Sequence, residues 1–355
     1  MNQELRQLQI QVGATFDPDA TVPSSFGNDK DALRALQDSA VLCDRAHWGL
    51  IEVRDRDRLQ FLHNQTTNDL KSLQPGQGDD TVFVTSTART IDLATVYVTE
   101  DSVLLLVSPE QTQPLLDWLD RYLFPMDRVK LKDLSEEFAI FSLMGAKSAE
   151  LLASMGVGEI PQQPEGSHQL VQLENMEVRI AVGSGLALPG YTLLIPEDRA
   201  ATLWNRAIEA GAVPMGDRVW EQLRVQQGRP ARDRELTDNY NPLEAGLWQA
   251  ISFTKGCYIG QETIARLNTY KGVKQRLWGI RLAAPVPPGT TITLDERKVG
   301  TLTSHSETEE GAFGLGYVRT QAGGAGLKVK VGEVDGELVA VPFLTHEYYV
   351  PPIKE

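Results

Sequence analysis

Apolar positions along this chain follow two rhythms. Between Pro109 and Phe124, leucines at 115, 116, 119 and 123 fall on one stripe of a 3.6-residue period, which predicts a helix. Runs rich in Val, Ile, Thr and aromatic residues predict strands at 81–85, 90–99, 103–107, 138–144, 170–182 and 191–195, with Glu100-Asp101-Ser102 turning a hairpin. Further helices are expected around Leu33 and Leu36, over 147–155, over 197–210, and from Asp217 through Trp220, Leu223 and Arg224. Asp57 is placed to cap a helix carrying Leu59, Phe61 and Leu62. Residues 41–53 read as strand material broken around Arg45-Ala46-His47-Trp48-Gly49. That break is read either as an amphipathic strand pair with a satisfied histidine or as a place where His47 and Trp48 line a site.

Residues 1–28 and the stretch from Gly156 to Ser167 are turn-rich and carry little periodicity. From about Lys274 the chain changes to short strands at 277–283, 291–294, 298–304, 313–318 and 327–332, separated by Pro and Gly, which predicts a small barrel or sandwich. The order of elements predicts an α+β fold with segregated layers. Three regions follow: an extension at 1–40, an α+β region at 41–273 and a small β domain at 274–355. No Gly-x-Gly-x-x-Gly stands at a strand-to-helix turn, so a nicotinamide-binding fold has no support.

Composition narrows the classes. With 355 residues, 41% of them hydrophobic, the chain can bury a core in two or three domains. A net charge of −14 argues against direct nucleic-acid binding and against an anionic membrane surface. Cys43 and Cys257 are the only cysteines, and the five histidines are scattered, so neither a disulfide framework nor a metal ligand set is expected. Met1 to Ile10 lacks an apolar signal core, and runs such as Val103 to Val107 are far shorter than a membrane span. A reducing, cytoplasmic setting is the expectation.

Most candidate chemistry lies in Lys255-Gly256-Cys257-Tyr258-Ile259-Gly260-Gln261-Glu262-Thr263-Ile264-Ala265-Arg266. Gly256 and Gly260 allow tight turns or close backbone approach. In a helix entered at Gly260, residues Gln261, Glu262 and Arg266 share a face, with Glu262 and Arg266 in pairing order. A thiol beside Lys255 and near a helix start is expected to have a lowered pKa and a larger thiolate fraction. The competing reading is a glycine-rich turn with a small buried cysteine. Asn64, Gln65 and Asn68 offer donors and acceptors suited to a pterin or an amide, or they cap a loop and helix. Arg224, Arg229, Arg232 and Arg234 are placed to attract a polyanionic tail or to form a solvated face diluted by Asp233 and Glu235.

The stretch 255–266 fits Lys-Gly-Cys-aromatic-x-Gly-Gln-Glu-x-x-x-Lys/Arg at every specified position and resembles the signature of the YgfZ family. Those folate-dependent proteins support iron-sulfur enzymes and are related to the aminomethyltransferase, or T-protein, of glycine cleavage. Asn241-Pro242-Leu243-Glu244-Ala245-Gly246-Leu247 resembles a block shared by that wider superfamily. Phe61 to Leu70 resembles its FLQGQVTNDV-like block, with His63 and Asn64 where Gln and Gly are commoner.

The resemblance runs over about residues 40–350 and implies a T-protein-like fold: interleaved α+β subdomains around a central cavity, then a C-terminal β-barrel. It implies tetrahydrofolate or a derivative as cofactor and no permanently bound metal. Partners would be iron-sulfur assembly factors or client enzymes. It implies Cys257, Lys255 and Asp92 as catalytic residues, and Asn64, Gln65, Arg224, Gly256, Tyr258, Gly260, Gln261, Glu262 and Arg266 near the folate. Two positions depart from the aminomethyltransferase pattern: Leu93 and Leu188 stand where that family has acids. The alternatives are a glycine-cleavage aminomethyltransferase and a non-catalytic scaffold docking a partner through 255–266.

Overall fold

The computed structural model describes residues 2–158, 163–173, 175–308 and 311–351. The chain forms two compact units interleaved along the sequence. Unit one comprises Met1–Leu59, Ser72–Asp79 and Ala94–Glu221, and unit two comprises Gln60–Lys71, Asp80–Leu93 and Gln222–Glu355. An α+β fold with a closed C-terminal barrel is what these units contain.

Unit one holds a six-stranded sheet in the order Val213–Met215, Val41–Asp44, Phe138–Met144, Gly190–Pro196, Met176–Val182, His168–Leu173. Its pairs are antiparallel except the first, where Val41 to Cys43 run beside Val213 to Met215. Helices Gln3–Gln11, Ser148–Ser154 and Ala200–Glu209 contribute to its apolar core. Leu5 and Phe26, from the stretch read as an extension, are part of that core, and Phe26 stacks on Trp204 at 6.4 Å between centroids.

A five-stranded sheet runs Gly78–Val84, Thr90–Val98, Ser102–Val107, Gly49–Arg54, Lys130–Asp133, and the division between the units falls within its first two strands. The strands 41–44 and 49–54 therefore lie in different sheets, which corrects the expected strand pair. The connection is held from inside. Arg45 is buried, with its guanidinium 3.8 Å from the Trp48 ring and 4.4 Å from the Trp220 ring, and it donates to Ser142 Oγ and the Ser184 carbonyl. Burial, reinforced by Arg45, pushes the imidazole of His47 down to about 4. Asp57 does not cap its helix; its carboxylate accepts from the Arg128 amide at 3.1 Å. The leucine-striped helix is Thr112–Asp120, shorter than its periodicity suggests. Part of the expected loop at 156–167, residues 159–162, lies outside the described residues.

Unit two carries the closed barrel, in the order Gln275–Leu282, Gly311–Arg319, Arg297–Thr308, Thr291–Leu294, Lys328–Val331, Val334–Val339. Five of these strands are legible as sequence pattern. The sixth, Val334–Val339, pairs with both Lys328–Val331 and Gln275–Leu282 and closes the circle, which removes the open edges of a flat sheet. Ile280, Leu302, Val331 and Leu338 fill the interior. Among the described residues no helix is long and apolar enough to cross a membrane.

Candidate functional site

Four segments of unit two meet around the glycine-rich loop: the end of helix Arg58–Gln65 with the turn after it, the hairpin formed by Val82–Val84 and Thr90–Leu93, the segment 241–260, and helix Gln261–Thr269. Thr67 stitches three of them. Its hydroxyl donates to the Ala250 carbonyl at 2.7 Å and accepts the Val82 amide at 3.0 Å, and its carbonyl accepts the Ser252 amide at 3.0 Å. Asn241 closes the next turn: Oδ1 accepts the amides of Leu243 and Glu244 at 3.0 Å, while Glu244 Oε2 accepts the Asn241 amide at 3.1 Å. The block 241–247 is thus a self-capped turn that delivers the chain to Lys255.

Lys255 points inward. Its ammonium donates to the carbonyls of His63 at 2.6 Å, Thr66 at 2.7 Å and Asn68 at 2.6 Å, so three N–H donors meet three acceptors. Burial pushes this ammonium down to about 7, against the opposing charge of Asp69. Tyr258 is also buried; Lys255 Nζ lies 4.8 Å from its ring centroid, and burial pushes the phenol up. The Ile259 amide donates to the Asn64 carbonyl at 3.1 Å, a further tie between this loop and the 63–68 turn.

Gly260 has φ +81°, and a Cβ there would stand 2.7 Å from the Thr85 carbonyl oxygen and 3.2 Å from Ala88 Cα. The loop therefore needs glycine at 260 for both its dihedral and its approach to the hairpin. Gly256 is different: its φ is ordinary, and an added Cβ would meet only His63 Nε2, at 3.8 Å.

Cys257 is a free thiol and is exposed, which overturns the buried-cysteine reading. Two parts of its expected activation are corrected by geometry. The helix begins at Gln261, four residues beyond the thiol, and the Lys255 ammonium is committed to carbonyls of the 63–68 turn. Glu262 and Arg266 are exposed and, among the described residues, form no ion pair with each other, as suits a surface pair worth only about 0.3–0.5 kcal/mol. Gln261 Nε2 reaches back to the Gly256 carbonyl at 3.4 Å.

Asn64 is exposed and accepts from Gln60 Nε2 at 2.8 Å. Gln65 is buried at 7% exposure, and its Oε1 has no hydrogen-bond partner among the described residues. Asp92 is fully buried beside Leu93, itself part of the apolar core of unit two. His63 Nδ1 lies 3.3 Å from Asp69 Oδ1, and burial, with Lys255 adding to it, lowers the imidazole pKa.

Arg224 is not available to a polyanionic tail. It is 2% exposed and donates to Glu235 Oε2 at 2.9 Å and to Ser304 Oγ at 2.7 Å. A bulge after Leu302 lets both Thr303 and Ser304 donate to Glu235 Oε1, at 2.6 and 2.7 Å. Arg229 is buried as well, and Arg232 donates to the Leu236 carbonyl. Glu235 and Thr67 escape sequence reasoning: Glu235 sits in a mixed-charge run that reads as solvated, and nothing local marks the long-range acceptors of Thr67.

Comparison with known proteins places these features in a family. Residues 9–255 match the family described as the GCVT N-terminal domain, and residues 274–342 match the CAF17 C-terminal beta-barrel domain. A protein of Arabidopsis thaliana named as a putative chloroplastic transferase is 46% identical over 334 residues, covering 93% of this chain and 77% of that protein. An aminomethyltransferase of Symbiobacterium thermophilum is 27% identical over 353 residues, with 93% of this chain and 94% of that protein covered. The crystal structure of glycine cleavage system aminomethyltransferase T from Bartonella henselae has the same fold, with a TM-score of 0.86 at 19% identity over 98% of this chain and 99% of that one.

Proposed function

Since the chain belongs to the GCVT family and carries a CAF17-type C-terminal barrel, we propose that it binds a reduced folate and supports the assembly or repair of iron-sulfur enzymes, as YgfZ-type proteins do. Cys257 is the reactive group in this reading. The observation that carries it is an exposed thiol on a loop whose backbone is pinned from beneath by the three hydrogen bonds of Lys255. A thiol so placed meets a partner or ligand from solvent without losing its position.

Residues of unit two fit a pterin. The buried Gln65 Oε1 is an acceptor without a donor among the described residues, and strand Thr90–Val98 carries a second buried acceptor type, the Asp92 carboxylate. When bound, a reduced folate supplies one-carbon chemistry. The protein's own part is to orient the ring and to present the thiol. Lys255 is a positioning residue in this account, Arg224 belongs to the framework, and Asn64, Gln261, Glu262 and Arg266 are exposed or half-exposed groups near the loop. An exposed free thiol is compatible with the reducing, cytoplasm-like compartment we assign. The partners we assign are iron-sulfur assembly factors or client enzymes.

Glycine-cleavage aminomethyl transfer is the weaker reading. Leu93 and Leu188 have no side-chain acceptor, and each charge-assisted bond to a pterin that a carboxylate would make there is worth about 1.5–3 kcal/mol. Calorimetric titration with tetrahydrofolate is the test, and saturable binding is expected; no heat at millimolar ligand removes folate from the account. Supplied with aminomethylated lipoyl carrier and tetrahydrofolate, the protein should not turn over. Rates near those of a genuine aminomethyltransferase would reverse the assignment.

A further inference from the structure

A cavity of about 610 Å³ is walled entirely by residues of unit one and by none of the residues assigned above. One wall is the face of the six-stranded sheet turned away from its helices. On strand Met176–Val182, Val178 and Ile180 belong to the apolar core, so Arg179 between them projects from the opposite face, into the cavity it lines. Its cross-strand neighbours on that face, Leu170 and Leu194, line the cavity as well. The other wall comes from the five-stranded sheet, where Glu52 stands in register with Leu104 and Lys132. Gly76 ties the two sheets together: its amide donates to the Val98 carbonyl at 2.9 Å, and its carbonyl accepts the His168 amide at 2.8 Å. The walls are preformed, and the volume lies within the range of small-molecule sites.

The charges on these walls define what fits. Two pairs are closed, Arg54 on Glu52 at 2.8 Å and Lys132 on Glu137 at 2.7 Å. Left over are one cation, Arg179, and three exposed carboxylates, Glu100, Asp101 and Glu177. Arg179 Nη1 donates to His168 Nδ1 at 3.0 Å, and the buried His168 passes its own Nε2 proton to the Gln77 carbonyl at 3.2 Å. Burial, with Arg179 adding to it, pushes that imidazole down to about 4, so it holds the guanidinium in place at pH 7 without a charge of its own. The remaining donors of Arg179, Nε and Nη2, have no partner among the described residues and are not sealed from solvent. Asp101 is the acid whose charge acts on Arg179, yet the two form no ion pair among the described residues. Its turn is fixed, because the Thr99 hydroxyl accepts the Ser102 amide at 2.9 Å and donates to the Ser102 carbonyl at 3.0 Å.

We infer that this cavity binds a free α-amino acid with an apolar side chain, its carboxylate on Arg179, its ammonium on Asp101 and its side chain against Leu170 and Leu194. A simple anion would meet three carboxylates beside the guanidinium, and a simple cation would leave the guanidinium unmatched. A molecule that carries both charges a few bonds apart answers both. Leu170 is 53% exposed although it stands in a strand beside Arg179, and an apolar side chain laid on it withdraws that surface from water.

The test uses the full chain, with calorimetry and saturation-transfer NMR, and leucine, methionine and phenylalanine as probes. At least one should bind saturably. Its amide, which lacks the carboxylate, and its N-acetyl derivative, which lacks the ammonium, should each bind about 10- to 100-fold more weakly, the value of one charge-assisted hydrogen bond. Arg179→Gln keeps a donor for His168 and removes the charge, and it should weaken the amino acid by a similar factor. Asp101→Asn, on an exposed turn, should weaken it without lowering the melting temperature. No saturable signal from any of the three amino acids, or a derivative that binds as tightly as its parent, overturns the proposal on wild-type protein alone. An affinity unchanged in Asp101→Asn overturns the place given to the ammonium.

Discussion

Arg224 and Lys255 are both buried cations of unit two, at 2% and 8% exposure, and their surroundings differ in kind. Around Arg224 lies a carboxylate, Glu235, completed by the hydroxyls of Thr303 and Ser304, so charge meets charge where helix Asp217–Gln227 and the barrel strand Arg297–Thr308 are joined. Around Lys255 lie three backbone carbonyls, with Asp69 as the nearby opposing charge. A guanidinium keeps its proton at any pH a protein survives, whereas a buried ammonium does not. The Arg224 cation is therefore constant with pH, whereas the cation beneath the loop that carries Cys257 is lost as pH rises through about 7. A neutral amine has two N–H groups for three carbonyls, and deprotonation frees one of them.

The largest effect expected from breaking this contrast is at the seam. Arg224→Met leaves Glu235 as a buried carboxylate without its cation and should destabilise the protein by about 3–5 kcal/mol, read as a lower urea midpoint. At the loop, Lys255→Met removes a donor from three carbonyls, of which that of Asn68 keeps the Leu70 amide at 3.1 Å, and the loss is limited to about 1–3 kcal/mol. Faster labelling of Cys257 by iodoacetamide should accompany it, as the loop loosens. Lys255→Arg should not restore the wild-type labelling rate, because a planar fork cannot reproduce three diverging donors.

The pH dependence sharpens the same point. The Lys255 pKa is about 7 in the folded protein and 10.5 for the free side chain. Between those values the unfolded chain holds a proton that the native state has lost, so the lysine's contribution makes stability rise with pH from about 7 to about 10.5 and level off above. Denaturation curves should show that rise in wild type relative to Lys255→Met. Arg224→Met should show no comparable difference in slope. Smaller effects separate the two glycines: Gly260→Ala should cost about 1–2 kcal/mol through its left-handed backbone alone and more through its contact with Thr85, whereas Gly256→Ala should fall within about 0.5 kcal/mol of wild type.

Much of the framework was legible in the chain because burial imposes a period on residue type. The strand at 138–144 and the need for glycine at 260 follow from pattern and residue chemistry alone. Partnership was not legible. The strands 41–44 and 49–54 adjoin in sequence but enter different sheets, since the buried Arg45 and its tryptophans turn the chain between them. Lys255 looked like a neighbour of the thiol because adjacency in sequence says nothing about direction, and backbone carbonyls, its true partners, leave no mark in residue identity. Arg224 reads as a contact for a polyanionic tail or a solvated charge, and Glu235 as a charge diluting it, for the same reason: a charge series does not reveal which members are folded inward. The barrel's last strand, Val334–Val339, is short and interrupted by Gly336, and it is recognisable by its partners rather than its composition.

The role of Cys257 is tested in cells deprived of this protein, by the activity of their iron-sulfur enzymes after reintroduction of Cys257→Ala. Because the thiol is exposed, the substitution leaves no cavity, and the variant should melt with wild type. Full-length, folded Cys257→Ala that fails to restore those activities is the predicted result. Restoration to the wild-type level by the same variant would contradict it.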